Sequence, residues 1–282
     1  MFRTFKRTLE LTKLSWGVLQ GDRKLVAFPL FSGVAFVILA VLLTGFGTGI
    51  GMLDRMSAGD DLSGADFGLL AITYFLLAFI VIYFNAALAG AAMVRLAGGQ
   101  PTMGDGFRMA NQRLPQIAGW ALISATVGLI LQVLRSQSRD NMIGQIALSI
   151  VGGVWAYLTF FVVPVLVAES MGPIAAIRRS SSLFKRTWGE QVVANFGFSI
   201  VGFVSALVAA IPAIVIAQVS PVAGIAVGVV TVGMAIATVS TLETIFKAAL
   251  YGYVADGRVG DGFTREALDS SYGPKRSESH GY

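Results

Sequence analysis

The chain has 282 residues, of which 55% are hydrophobic and only 13% are charged, with a mean hydropathy of +0.72 and a net charge of +5. A soluble fold of this composition would have too few polar residues to cover its surface, so the composition predicts a membrane protein. The chain has no cysteine, which excludes disulfides, thiol catalysis and thiolate metal sites.

Residues 1–24 form a basic, amphipathic lead. Apolar residues at helical spacing share one arc of this segment, and most of its basic residues fall elsewhere. This distribution predicts a helix that lies flat on the inner leaflet, with the basic side chains as candidate contacts to lipid headgroups. The arc is formed by Phe2, Phe5, Leu9, Trp16 and Leu19, and the candidate contacts are Arg3, Lys6, Arg7 and Lys13.

Six long apolar runs follow, each of which reaches or exceeds the roughly 27 to 30 Å of bilayer hydrocarbon. They are apolar on every side, unlike the alternating strands of a membrane β-barrel. The first run is too long for the apolar region of a signal peptide and is expected to remain as a span. The sequence therefore predicts an all-α, polytopic membrane protein with a six-helix domain over residues 25–255. The runs are residues 25–53, 67–94, 117–134, 143–168, 192–217 and 222–255.

The segment between the fourth and fifth runs is predicted to be a second amphipathic helix on the cytoplasmic side. Pro173 can occupy its first turn, and an apolar stripe follows, formed by Ile174, Ile177, Ser181, Phe184 and Trp188. The stripe can contact the membrane, the protein's own bundle, or both. The candidate headgroup contacts are Arg178, Arg179, Lys185 and Arg186. A weaker amphipathic pattern after Pro101 suggests a third such helix.

Lys and Arg residues fall almost wholly in the segments on one side of the predicted spans. Only Arg55, Arg135 and Arg139 lie in the opposite loops, and Lys247 lies within the last run. The positive-inside rule then places both termini in the cytoplasm and the protein in the cytoplasmic (inner) membrane. Anionic lipid is the expected partner of the basic surface. No soluble basic module for nucleic acid is present, and the sequence does not identify a protein partner.

Within the predicted membrane layer, ionisable residues are rare. Glu243 and Lys247 are four residues apart and so lie on one face of the last helix. They form either a structural ion pair or a substrate or gating site, and Asn85 occupies the matching position in a possible internal repeat. Pro164 and Pro212 are expected to kink the fourth and fifth runs.

The sequence offers no residues for an enzyme, a metal or a cofactor. The only histidine, His280, lies in the polar segment 256–282, which is predicted to be cytoplasmic and largely disordered. Without a candidate acid, base or metal ligand set, we expect a protein that is not an enzyme and holds no cofactor.

Two stretches carry a family resemblance: residues 13–30, with Trp16, Gly17 and Pro29, and residues 179–189, which end in Trp188 and Gly189. They resemble a functionally uncharacterised family of six-span prokaryotic integral membrane proteins, more distantly similar to the membrane domain of glycerophosphodiester phosphodiesterases. The resemblance implies a topology and no mechanism, and because the chain has no phosphodiesterase domain, that activity is not carried over.

Two functions therefore remain open. The first is a non-enzymatic scaffold or lipid-associated accessory protein of the inner membrane. The second is a transporter or channel for a small solute or lipid, with Glu243, Lys247 and Asn85 near its path. A broken helix or a water-filled cavity that reaches these residues would favour the second function, and a solid apolar bundle would favour the first.

Overall fold

The computed structural model describes residues 2–61, 63–138, 141–187 and 194–272, and every regular element in these ranges is helical. The fourth apolar run is divided into two helices, and a 3-10 turn at Arg23–Val26 precedes the first span. In chain order the helices are α1 (Phe2–Gly21), α2 (Ala27–Gly49), α3 (Met52–Ala58), α4 (Gly64–Leu96), α5 (Met103–Asn111), α6 (Leu114–Gln137), α7 (Met142–Thr159), α8 (Val162–Ala168), α9 (Pro173–Thr187), α10 (Ala194–Ala217), α11 (Pro221–Asp256) and α12 (Arg265–Tyr272).

Six of these segments are long and apolar enough to cross a membrane, which confirms the predicted fold class. The third span was predicted over 117–134 and extends over Leu114–Gln137, because Pro115 starts the helix one turn earlier. The fourth span, Met142–Ala168, combines α7 and α8. The sixth continues to Asp256 and ends at Gly257, whose φ of 69° is readily adopted only by glycine.

The spans form three antiparallel hairpins: α2 with α4, α6 with α7 and α8, and α10 with α11. Helix α4 packs against α2, α6, α8 and α11. The amphipathic helices α1, α5, α9 and α12 pack at the end of the bundle where α4, α8 and α11 finish. We call these four helices the collar, and this end of the bundle the collar end.

The buried core lies at the collar end. On α4 no residue from 67 to 85 is buried, whereas every residue from 86 to 92 is. On α11 the buried side chains are concentrated between Thr241 and Tyr251. Beyond the core, the spans expose apolar side chains such as Val41, Ile150 and Val229, which form an apolar belt. Such a belt matches a surface that contacts lipid tails, where burial inside the protein brings no further gain.

The collar helices bury faces that differ from those predicted. On α9 the buried residues are Ala176, Ser180, Leu183 and Phe184, and only Phe184 belongs to the predicted stripe. Small side chains at Ala176 and Ser180 let α9 approach the bundle closely. This explains why the buried face of α9 is rotated about the helix axis relative to the predicted stripe. On α1 the buried residues are Leu11, Ser15, Val18 and Leu19, while Leu9 and Trp16 of the predicted arc are exposed. The described part of the structure does not include the side chains of Phe2, Phe5 and Trp188.

The described part of the segment after α11 contains the helix α12 and reaches residue 272. Phe263, Ala267 and Leu268 are buried in the core, and α12 packs against α1. The Asp261 N–H donates to the Leu96 carbonyl at 2.8 Å, and Arg95 pairs with Asp261 at 2.6 Å. Apolar residues at helical spacing in this segment thus pack beside α1. Residues 273–282, including His280, lie outside the described ranges.

At the opposite end of the bundle, an ion pair closes the loop between the first two spans. Arg55 of α3 donates to both carboxylate oxygens of Asp66, at 2.6 and 3.2 Å, and Ser63 donates to the same carboxylate through its N–H and its hydroxyl. The Asp66 side chain is 1% exposed. This buried carboxylate has the hydrogen bonds that burial demands.

Candidate functional site

Glu243 and Lys247 form the ion pair that their spacing predicted. Lys247 Nζ lies 2.7 Å from Glu243 Oε1, and it also lies 5.2 Å from the centre of the Phe160 ring. The two side chains are 35% and 28% exposed, so the pair lies at the edge of the packed core. The pair neutralises itself, and the aromatic face adds a further weak attraction for the ammonium group.

Asn85 does not join this ion pair. Its Oδ1 lies 3.1 Å from Thr244 Oγ, which is also 2.9 Å from the Ser240 carbonyl. The Thr244 hydroxyl has one proton and can serve one of these acceptors at a time. Asn85 therefore links α4 to α11 beside Glu243, in the interhelical role that polar residues often have in membrane bundles.

The pair lies where the apolar belt ends on the collar side. Glu243 is 22 residues from the start of α11 at Pro221, which corresponds to roughly 33 Å of helix. The last exposed large apolar residue of α11 is Ile236. Because the hydrocarbon layer is about 30 Å thick, this position corresponds to the headgroup level rather than the middle of the bilayer.

The fourth span is broken at the level of this pair. Helix α7 ends at Thr159 and α8 begins at Val162, so the break falls at Phe160 and Phe161. Pro164 has no N–H to donate to the Phe160 carbonyl, which accounts for the interruption. Within the break, the Phe161 N–H donates to Ser180 Oγ of α9 at 3.0 Å.

A cavity of about 910 Å³ lies nearer the collar, between the last turns of α4, α8 and α11, helix α9 and the loop after α11. Its polar lining includes Glu169, Arg179, Tyr251, Asp256 and Asp261, and glycines and alanines supply much of the rest. Neither Glu243 nor Lys247 nor Asn85 lines it. The cavity and the predicted polar site are therefore separate features.

The Glu169 carboxylate accepts hydrogen bonds from two other residues of the cavity wall. Arg179 Nε lies 3.0 Å from both oxygens of Glu169, and the Tyr251 hydroxyl donates to Glu169 Oε1 at 2.8 Å. This network joins α8, α9 and α11. Arg179 is one of the predicted headgroup contacts, whereas Glu169 and Tyr251 were not among the predicted site residues. The available signal was an acidic residue, Glu169, at the very end of an apolar run.

The predicted headgroup contacts have different surroundings. Arg178, Lys185 and Lys13 are exposed on the outward faces of α9 and α1, whereas Arg179 pairs with Glu169. Ile174, which is 62% exposed, shares the outward face of α9 with Arg178 and Lys185. The side chains of Arg3, Lys6, Arg7 and Arg186 lie outside the described residues. In the described ranges, no group of three or more His, Asp or Glu side chains could hold a metal ion.

A family model described as "Family of unknown function (DUF6159)" matches residues 65–263, from the start of the second span to the loop after the sixth. The matched range contains Asn85, Glu169, Arg179, Glu243 and Lys247. No curated protein and no solved structure matches the chain. The comparisons thus give no support to the distant resemblance to the membrane domain of glycerophosphodiester phosphodiesterases.

Proposed function

The chain belongs to the family of unknown function DUF6159, and we propose that it is a non-enzymatic membrane protein that associates with anionic lipid through its collar. The observation that carries this proposal is the outward face of α9, where Ile174 is exposed beside Arg178 and Lys185. Apolar burial and charge then act together at one membrane surface.

Helix α1 supports the same proposal. Leu9 and Trp16 are 46% and 44% exposed on a face that does not pack on the bundle, and Lys13 is exposed as well. Tryptophan favours the headgroup level, where its ring contacts apolar chains and its N–H contacts polar groups. The two helices would hold the headgroup plane close to the inner boundary of the belt.

We further propose that the collar end faces the cytoplasm from the inner membrane, because most Lys and Arg residues lie on that side. The chain has no cysteine, so single cysteines can be introduced without a background. A cysteine at Ser57 should be labelled from outside intact cells, and one at Ser277 should be labelled only after permeabilisation. The reverse result would overturn the orientation.

The lipid association can be measured with the full chain in liposomes, as the selectivity for spin-labelled phosphatidylglycerol over phosphatidylcholine. The double variant Arg178→Gln/Lys185→Gln should lose much of this selectivity, since each cation near an anionic surface contributes about 1 kcal/mol. Ser182→Gln changes the same exposed face without changing its charge and should keep the selectivity. Unchanged selectivity in the double variant would refute the proposal.

One observation favours the second candidate, a transporter or channel for a small solute or lipid. The fourth span is broken at Phe160, beside Lys247, and discontinuous helices are typical of transporter sites. We rank it second because the cavity at the collar end is not lined by Glu243, Lys247 or Asn85. Liposomes that contain the protein should exchange lipid between leaflets, and conduct ions, no faster than protein-free liposomes. Faster exchange or conduction that Lys247→Met abolishes would reverse this ranking.

A further inference from the structure

A polar notch interrupts the apolar belt at the end of the bundle opposite the collar. It lies between the third and fourth spans and has a volume of about 420 Å³. All of its lining residues are polar, in a region where the neighbouring surface is apolar. They are Gln132, Arg135 and Ser136 of α6 and Gln145 and Ser149 of α7.

The guanidinium of Arg135 extends from the helix end toward the middle of the belt. A Cβ atom placed on Gly152 would lie 3.6 Å from Arg135 Nη2. Gly152 is ten residues, or roughly 15 Å, from the start of α7 at Met142. Around this level α7 exposes Ile150 and Val151, which are 62% and 51% exposed. The charged group therefore lies among side chains that face lipid tails.

Among the described residues, no carboxylate neutralises Arg135. None of the ion pairs between described residues includes it, and none of the notch residues is acidic. A cation at this depth is costly, so its presence without a counter-ion in the described part of the chain points to a ligand. The planar guanidinium presents donors in a geometry that matches phosphate oxygens, and the side-chain amide of Gln132 can donate as well. The Ser136 and Ser149 hydroxyls donate to the Val133 and Gln145 carbonyls.

We propose that the notch binds the phosphate group of a phospholipid from the leaflet opposite the collar, with Arg135 as its charged ligand. The notch lies between α6 and α7, so the acyl chains of such a lipid would lie against these two helices. This site is separate from the collar in position and in residues. Its proposal does not depend on the function proposed for the collar.

The test uses the full chain in detergent and native mass spectrometry, which counts bound lipids. To remove the collar contribution, all variants carry Arg178→Gln and Lys185→Gln. The starting protein should bind phosphatidylglycerol and phosphatidylcholine in preference to diacylglycerol, which has no phosphate. Arg135→Gln should weaken the binding of both phospholipids about tenfold, the loss expected for one charge-assisted contact. Arg135→Lys should weaken it less.

Two glycines provide matched variants that keep Arg135. Gly152→Leu places a side chain against the guanidinium and should weaken binding like Arg135→Gln. Gly153→Leu has the same effect on helix propensity, but a Cβ at Gly153 meets no atom within 4 Å, so binding should not change. If Arg135→Gln and Gly152→Leu both bind phospholipid as tightly as the starting protein, the proposal is wrong.

Two further outcomes would overturn parts of the assignment. If millimolar inorganic phosphate displaces the phospholipid, the notch serves a soluble anion rather than a lipid. If diacylglycerol binds as tightly as phosphatidylglycerol, the notch recognises acyl chains and not phosphate. Phospholipid binding that persists in phosphate buffer and is weakened by Arg135→Gln supports the proposed site.

Discussion

Ser180 of the collar helix α9 forms a hydrogen bond to Phe161, the residue at the start of α8 in the fourth span. The Phe161 N–H donates to Ser180 Oγ at 3.0 Å, and both residues are fully buried. Without this bond, the break would leave a backbone donor buried and unpaired. The collar helix α9 is therefore part of the structure of the span and does more than cover it.

Ser180→Ala should lower the free energy of unfolding by about 1 to 3 kcal/mol, the cost of a buried donor without a partner. Ser182→Ala is the matched control, because Ser182 is exposed on the same helix and bonds only to the Arg179 carbonyl. Thermal unfolding of the detergent-solubilised protein provides the measurement. Equal losses in the two variants would mean that the Phe161 bond contributes little.

Glu243 and Lys247 should depend on each other. Glu243→Gln and Lys247→Met each leave one charge without its partner, whereas the double substitution removes both charges. Each single variant should be less stable than the double variant, with a coupling of about 0.5 to 1 kcal/mol because the pair is partly exposed. Thermal unfolding of the three variants measures this coupling. Additive losses would show that the two side chains do not interact.

Ser170 adopts a conformation that suits glycine. Its φ of 35° lies in the left-handed region, directly after the end of α8 at Glu169. Ser170→Gly should therefore raise the free energy of unfolding by roughly 0.5 to 1 kcal/mol, because glycine removes the strain there. Gly257→Ala, at φ 69°, should lower it by a similar amount. A Ser170→Gly variant less stable than the parent would contradict this explanation.

Asp105 should make stability depend on pH. The Thr102 N–H and hydroxyl, together with Arg108, hold the pKa of the Asp105 carboxyl below its ordinary value of 3.8. The contribution is therefore complete above the ordinary pKa and is lost as the pH falls through the lowered one. Asp105→Asn should lower the melting temperature at pH 6, and this difference should shrink below pH 3.8. A constant difference would show that the carboxylate charge is not responsible.

Asp66 should be essential to the loop between the first two spans. Asp66→Asn removes the charge that Arg55 and Ser63 contact, while Arg55 remains charged. We expect a lower melting temperature and faster proteolysis between residues 51 and 63. Asp54→Asn, in the same loop region, is the control, and equal effects of the two substitutions would argue against a special role for Asp66.

The length and hydropathy of the apolar runs were enough to predict the six spans. The pairing of Glu243 with Lys247 was predicted from their spacing of four residues on one helix. Both features depend on the local sequence alone. The buried faces of the collar were harder to predict. On α1, Leu11 and Val18 face the bundle while Leu9 and Trp16 face outward, and helical periodicity alone cannot tell which apolar arc packs on protein and which on lipid.

The cavity network could not be predicted for a different reason. Glu169 meets Tyr251 across 82 positions of sequence, and no local pattern links them. Phe263, Ala267 and Leu268 are spaced like a helix face, but the polar residues around them resemble those of a disordered tail. Their burial depends on the groove beside α1, which exists only in the assembled fold.

The concentration of the core at the collar end has a mechanical consequence. No residue of α4 between 67 and 85 is buried. The half of the bundle opposite the collar is therefore stabilised by contacts with lipid tails as well as by contacts between spans. A thicker or thinner bilayer would act on the far ends of the hairpins and leave the core intact. We therefore expect the angles between the hairpins to vary with membrane thickness, while the packing at the collar end stays unchanged.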